Sequence, residues 1–191
     1  MQEFAGYQMK VIRSRRRTLS AQVKDNMLIV KAPLSMKDEE IKTFLGRHQR
    51  WIKNHMEHSS RNRDEAEKAG MLSMEELRSL AEQALKVIPP RVKYYAGRMG
   101  VTYGRITIRN QKTRWGSCSS KGNLNFNCLL MLCPEEVMDS VIVHELAHLK
   151  EMNHSQRFYD EVLRVFPRYW DCHDWLKKEG DILLKRMIKT G

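Results

Sequence analysis

Apolar residues in the first third of the chain alternate with polar ones before they settle into a helical period. Leu19, Ala21 and Val23 alternate with polar positions, Asp25-Asn26 is a turn signal, and MLIVKAP resumes an extended run that ends at Pro33. This pattern predicts a β-hairpin. Ser35 with Asp38 predicts a capping box, after which Ile41, Phe44, Leu45, His48, Trp51, Ile52 and His55 recur at helical spacing. Residues 57–72 are polar and aperiodic, which predicts a linker between an N-terminal hairpin and helix (1–56) and a main domain (73–191).

The main domain opens with Ser73 and Glu76, a second capping box, and Leu77, Leu80, Ala81 and Ala84 share a helical face. Pro89-Pro90 is expected to kink or break that helix, with a shorter piece continuing to Gly97 or Gly100. From Val101 the period changes to two: VTYGRITIRN reads as a strand with Ile106 and Ile108 on one face, 116–122 as a turn, and 124–133 as a second, apolar strand. Pro134 suits a first helical turn, and Glu135 and Glu136 complement its positive end. Two further helices are expected over roughly 155–165 and 170–189. The elements expected are thus a hairpin region, a small sheet, the helix after Pro134 and the C-terminal helices.

Composition narrows the class. The 191 residues, 41% apolar and 30% charged, suit a soluble globular protein with one core or a core and an appendage. No run approaches the roughly 20 apolar residues of a membrane helix, so no membrane partner is expected. The N-terminus lacks the apolar stretch of a secretory signal, which predicts a cytoplasmic protein. Cys118, Cys128, Cys133 and Cys172 form no CxxC pair, so reduced thiols are expected and a cysteine zinc site is disfavoured. The net charge of +11 is uneven: residues 134–191 carry 9 basic against 11 acidic residues, and the excess lies before them. Arg13, Arg15, Arg16, Arg17 and the basic region through Lys121 make nucleic acid or an acidic protein a candidate partner, against the plainer reading of a solubilising surface. Binding to phosphates would weaken steeply with salt.

Chemistry enters with VIVHELAHLKEMNH. His144 and His148 lie four apart, which on a helix puts both imidazoles on one face, able to grip one metal ion. Glu145 projects about 100 degrees away, where its carboxylate can reach a water at the metal. This is the H-E-x-x-H arrangement of zinc peptidases. A shuffled chain of this composition would show it in roughly 2% of cases, so context matters. The flanks Val141, Ile142, Val143, Leu146, Ala147 and Leu149 predict a buried helix, and two histidines and a glutamate are costly to bury without a partner. A catalytic zinc takes three protein ligands and an open position. His154 is the candidate for the third, with Asn153 able to end the helix in a left-handed conformation and Ser155 able to cap the next. His173 and Glu151 are the substitutes.

The run RWGSCSSKGNLNFN, then P-E-x-V and VIVHELAHLKEMNHSQRF, resembles the YgjP-like metallopeptidase family, and is similar, more distantly, to the SprT-like and WLM zincin proteases. The resemblance is dense over 105–180 and weaker over 7–55. It implies a zincin-like α+β fold, zinc as the metal, His144, His148 and His154 as its ligands and Glu145 as base. The chain departs from the family at Cys128 and Leu129, where an aromatic residue and an arginine are usual, and at Tyr159, where tryptophan is. The spacing to the third histidine equals that of metzincins, yet Glu151 stands in place of their glycine.

These residues predict a zinc-dependent hydrolase acting on peptides or proteins, in which Glu145 takes the proton of the attacking water and returns it to the leaving amine. Other divalent metals also suit three imidazoles. Tyr159, Arg157 and His173 are candidate transition-state donors, and the strand at 124–133 is a candidate to accept an extended substrate. Arg114 could hold a substrate carboxylate, although residue habits favour an arginine paired with a buried acid and a core tryptophan at Trp115. The alternatives are a zinc protein acting on DNA-bound proteins and a metal-dependent hydrolase of other amides or esters.

Overall fold

The computed structural model describes residues 2–24 and 26–186. Asp25 and the expected helical residues 187–189 lie outside the described residues. The chain divides into two compact units, 1–65 and 66–191.

The first unit is a four-stranded sheet with helices. Its strands are β1 (Gln2–Phe4), β2 (Tyr7–Ser14), β3 (Ser20–Lys24) and β4 (Met27–Pro33), in the order β1-β2-β4-β3. The expected hairpin is β3–β4, antiparallel, with Asn26 in the left-handed region at φ 59°. β2 runs parallel to β4, a pairing that joins residues about twenty apart and has no local signature. Met9, Leu28, Val30 and Ala32 meet Ile41, Leu45, Ile52 and Met56 in one core.

Helix α1 (Asp38–Arg47) begins two residues later than its capping signal suggested. Lys37 is the N-cap, and its N–H donates to the Glu40 carboxylate at 2.8 Å. The helix stops at His48, and α2 (Gln49–Ala69) carries on. The stretch 57–69, expected to be an irregular linker, is therefore helical. Ile52, Met56, Asn62 and Ala66 form its buried stripe, and two of the four are polar or small, so hydropathy alone does not reveal the period. Lys53–Glu57 and Arg61–Glu65 pairs at i,i+4 add a few tenths of a kcal/mol each.

The second unit is built on α3 (Met74–Met99), capped by Ser73 and Glu76 as expected and ended by Gly100 in the left-handed conformation at φ 66°. Pro89-Pro90 does not break it. A helix-interior proline costs about 3 kcal/mol, but Leu80, Ala84, Ile88, Val92, Ala96 and Met99 keep one face buried on both sides of the prolines. Burial at about 1.5–3 kcal/mol per large apolar side chain outweighs that cost.

A three-stranded sheet follows: β5 (Ile106–Arg109), β6 (Gly116–Cys118) and β7 (Leu124–Asn127), ordered β5-β7-β6. β5 takes four residues of the ten in the expected strand. β6 falls inside the segment expected to be a turn. The apolar run 124–133 is a strand only to Asn127, whose wholly buried side chain accepts from the Leu129 N–H at 3.1 Å and starts a 3₁₀ turn over Cys128–Leu132. β7 is the central strand, paired on both edges, so it cannot receive a substrate strand as expected.

Helix α4 (Glu135–Ala147) carries the histidine motif and is buried nearly all round, through Val137, Met138, Val141, Ile142, Val143, Leu146 and Ala147. Its first turn is tied to α3 by Arg91, which donates to Asp139 at 2.8 and 2.9 Å and to Glu135 at 2.7 Å, while Tyr95 donates to Asp139 at 3.0 Å. Ser155 caps α5 (Gln156–Val165), accepting from the Phe158 N–H. The last expected helix is three pieces: α6 (Tyr169–Trp175), a π-helical turn over Leu176–Gly180 and α7 (Asp181–Lys185). The class is α+β, as expected. No described helix is long and apolar enough to cross a membrane.

Candidate metal centre

His144 stands in the last turn of α4 and His148 at its C-cap, both with right-handed backbone. The four-residue spacing sets their rings edge to face, with centroids 5.0 Å apart. The chain then turns through 148–153 without a left-handed residue, since Asn153 is not among the residues of positive φ. This loop, anchored by the Ser155 cap, returns His154 to 5.0 Å from His144 and 4.8 Å from His148, ring to ring. Buried Phe158 lies 4.7–4.9 Å from all three imidazoles and props them from one side.

The donor atoms converge. One ring nitrogen from each histidine lies within 4.8 Å of the others, and the Nε2 atoms of His144 and His154 are 3.1 Å apart. Ligands about 2.0–2.1 Å from a tetrahedral ion stand about 3.3 Å from one another, so the spacing suits one ion. The other ring nitrogens of His144 and His148 are occupied. His148 Nδ1 is 3.2 Å from the Glu151 carbonyl, which only accepts, so the proton sits on Nδ1 and Nε2 is left as the ligand atom. His144 Nδ1 is 2.9 Å from the Tyr169 hydroxyl, which accepts from it when Nε2 serves as ligand. Burial, followed by the neighbouring histidines, pushes His144 down to about 3, and burial also lowers His148. Both are therefore neutral imidazoles at physiological pH, the form that binds metal.

Glu145 is only 6% exposed. Burial raises its pKa to about 8, opposed by Arg114 and by the N–H of Cys118, which donates to the carboxylate. Arg114 itself is exposed, and its charge acts on the buried Glu145 carboxylate. Trp115, half-buried, packs on the core as expected.

The remaining candidates separate. Tyr159 stacks on His154, with centroids 6.2 Å apart, and His173 stacks behind Tyr169 at 5.8 Å. Arg157 is exposed on α5, and no described contact joins it to the histidines. Glu151 offers its backbone carbonyl to His148, and neither it nor His173 is in the metal-capable cluster found among the described residues.

Tyr169 was invisible to sequence reasoning because it lies 25 residues beyond His144 and no short motif links them. Its buried hydroxyl, with a pKa raised chiefly by burial, stays protonated. Tyr169→Phe is expected to weaken metal affinity about 10–100-fold without unfolding the protein. A competition titration against a chelating dye measures this, and unchanged affinity would show that His144 Nδ1 needs no partner.

UTP pyrophosphatase of Escherichia coli (strain K12) is 29% identical over 104 residues, 51% of this chain, and the match spans 62% of that relative's length. Among solved structures, the metallopeptidase zymogen of Pyrococcus abyssi abylysin is similar at 27% identity and a TM-score of 0.44, over 47% of this chain and 91% of that one. The metallopeptidase zymogen of Methanocaldococcus jannaschii jannalysin is similar at 24% identity and a TM-score of 0.39, over 51% and 91%. A family model matches residues 17–80 and 73–179, nearly the whole chain, and on that match the chain belongs to the YgjP-like family, metallopeptidase domain.

Proposed function

We propose that the chain is a zinc-dependent hydrolase of peptide bonds. The observation that carries this reading is the convergence of three imidazoles beside a buried carboxylate, each Nδ1 of the helical pair already engaged. Zinc held by His144, His148 and His154 would supply a Lewis acid and bring the ionisation of water near neutral pH. The cation would also hold Glu145 ionised against its burial, so that its carboxylate accepts the proton of the attacking water. It then delivers that proton to the leaving nitrogen as the carbon–nitrogen bond breaks. Glu145 lies against the edge strand β6 rather than the central β7. Arg114, exposed and acting on Glu145, would attract an anionic group of the substrate.

A second reading has one observation in its favour: a relative that carries the name UTP pyrophosphatase. A metal, a base and an exposed arginine also suit a phosphoanhydride, with the proton passing through Glu145 in the same way. The nucleic-acid partner expected from charge has no support in the comparisons.

The test incubates the zinc-loaded protein with a mixed peptide library and, separately, with nucleoside triphosphates including UTP, each beside Glu145→Gln. New peptide termini that require zinc and vanish in the variant support the peptidase. Turnover of UTP alone transfers the site to phosphoanhydrides. Turnover of neither class overturns the hydrolase.

A further inference from the structure

The segment facing Glu145 is a strand without a side chain where one would be in the way. β6 pairs with β7 through its odd-numbered positions: the Asn127 N–H donates to the Trp115 carbonyl at 2.8 Å and the Ser119 N–H to the Asn123 carbonyl at 2.9 Å, with Ser117 opposite Asn125. Antiparallel alternation turns the peptide groups of Gly116 and Cys118 to the outer edge. There the Cys118 N–H meets the Glu145 carboxylate.

A Cβ on Gly116 would stand 2.6 Å from Glu145 Oε1, 2.7 Å from its Cγ and 2.9 Å from its Cδ. Three atoms of one buried side chain would thus lie inside contact distance. The backbone of Gly116 does not itself call for glycine, because its φ is outside the left-handed region, unlike that of Gly100 or Gly122. What the position needs is room.

The strand is the firmer side of this contact. Glu145 is buried and bonded to Cys118. The approach to β6 is held by Asn127, whose Nδ2 donates to the carbonyls of Gln111 at 2.6 Å and Arg114 at 3.0 Å. A strand so held cannot retreat from an added methyl group as easily as the carboxylate can swing aside.

The geometry points to Gly116 as a positioning residue for Glu145: its missing side chain lets the glutamate lie against β6 on the Cys118 N–H, and a larger residue displaces that carboxylate while leaving the three histidines in place. The inference rests on the reading of Glu145 as the base, but the contact behind it can be tested separately.

The experiment compares four zinc-loaded proteins: the parent, Gly116→Ala, Glu145→Ala and the double variant. Gly97→Ala serves as a control, since a Cβ there meets nothing within 4 Å. Gly116→Ala is expected to lower the Tm by about 3–8 °C in the parent, as overpacking does. In the Glu145→Ala background the same change is expected to lower it by less than about 1 °C, because the side chain it strikes is gone. Equal losses in both backgrounds overturn the contact. If Gly116→Ala does not fold, recovery of folding in the double variant is the same result in stronger form, and failure of both overturns it.

Positioning is read from kinetics. Gly116→Ala is expected to lose about 10²-fold in kcat, as misplacement by about 1 Å does. KM is expected within about 3-fold of the parent and zinc near one per chain, because substrate and metal contacts are untouched. An unchanged kcat, or lost zinc, overturns the positioning role. A parent with no turnover on any substrate would sink the base reading, while the paired Tm values would still decide whether Gly116 makes room for Glu145.

Discussion

Glu145→Gln is expected to lower kcat by about 10³-fold while the protein keeps its zinc. Glutamine is nearly isosteric, so it fits the space over β6 and still accepts from the Cys118 N–H, but it cannot take a proton from water. Zinc content should not change, because the ligand set is His144, His148 and His154. A variant that retains more than about a tenth of parental kcat would remove Glu145 from the role of base. The same substitution has a second signature in the metal-free protein. The pKa of Glu145 is raised from 4.5 to about 8, chiefly by burial, so its contribution to stability is full below 4.5 and is lost as pH rises toward 8. Glutamine carries no such penalty. Metal-free Glu145→Gln should therefore gain in Tm over the metal-free parent between pH 4.5 and 8. His144 acts in the opposite direction: its pKa is lowered from 6.5 to about 3, so stability is lost as pH falls through that window, in parent and variant alike.

His154→Ala is expected to weaken zinc binding by about 10²–10³-fold. Structural zinc sites bind with about 10–16 kcal/mol, which spread over four ligands is about 3–4 kcal/mol each, or two to three decades. Of the three histidines this one stands on a loop and is exposed, so its removal should disturb the core less than loss of His144. Mass spectrometry of the purified proteins should find near one zinc per chain in the parent and a clear deficit in the variant. The rise in Tm on adding zinc should shrink accordingly, since that rise grows with the logarithm of affinity. Full zinc in the variant would move the third ligand to Glu151 or His173.

The centre was legible where its logic is local. H-E-x-x-H on an apolar helix, the Ser155 cap and the nearby His154 all lie within a dozen residues. The i,i+4 geometry that pairs His144 with His148 is a property of any helix. The Ser73–Glu76 capping box and the Gly100 terminus were readable for the same reason, because caps act through neighbouring backbone groups.

The failures share an opposite cause. β6 is three residues, Gly-Ser-Cys, with no apolar pattern, and it is a strand because β7 lies beside it. The polar stretch 57–69 is helical, and α3 runs through Pro89-Pro90, because a buried stripe outweighs local preference. The apolar run after Asn127 coils because one buried side chain captures the Leu129 N–H.

The sequence by itself thus pointed to the metal-capable histidines and the neighbouring carboxylate through short-range spacing and caps, and to the α+β class through its family resemblance. Only the tertiary structure decided that Tyr169 holds His144, that Arg114 stands near Glu145, that β6 is the edge strand, and that Gly116 leaves the carboxylate its room. Each of these joins residues 25 to 31 positions apart, or depends on which strand lies beside which. Such contacts are set by packing and strand order, which no periodicity along the chain encodes.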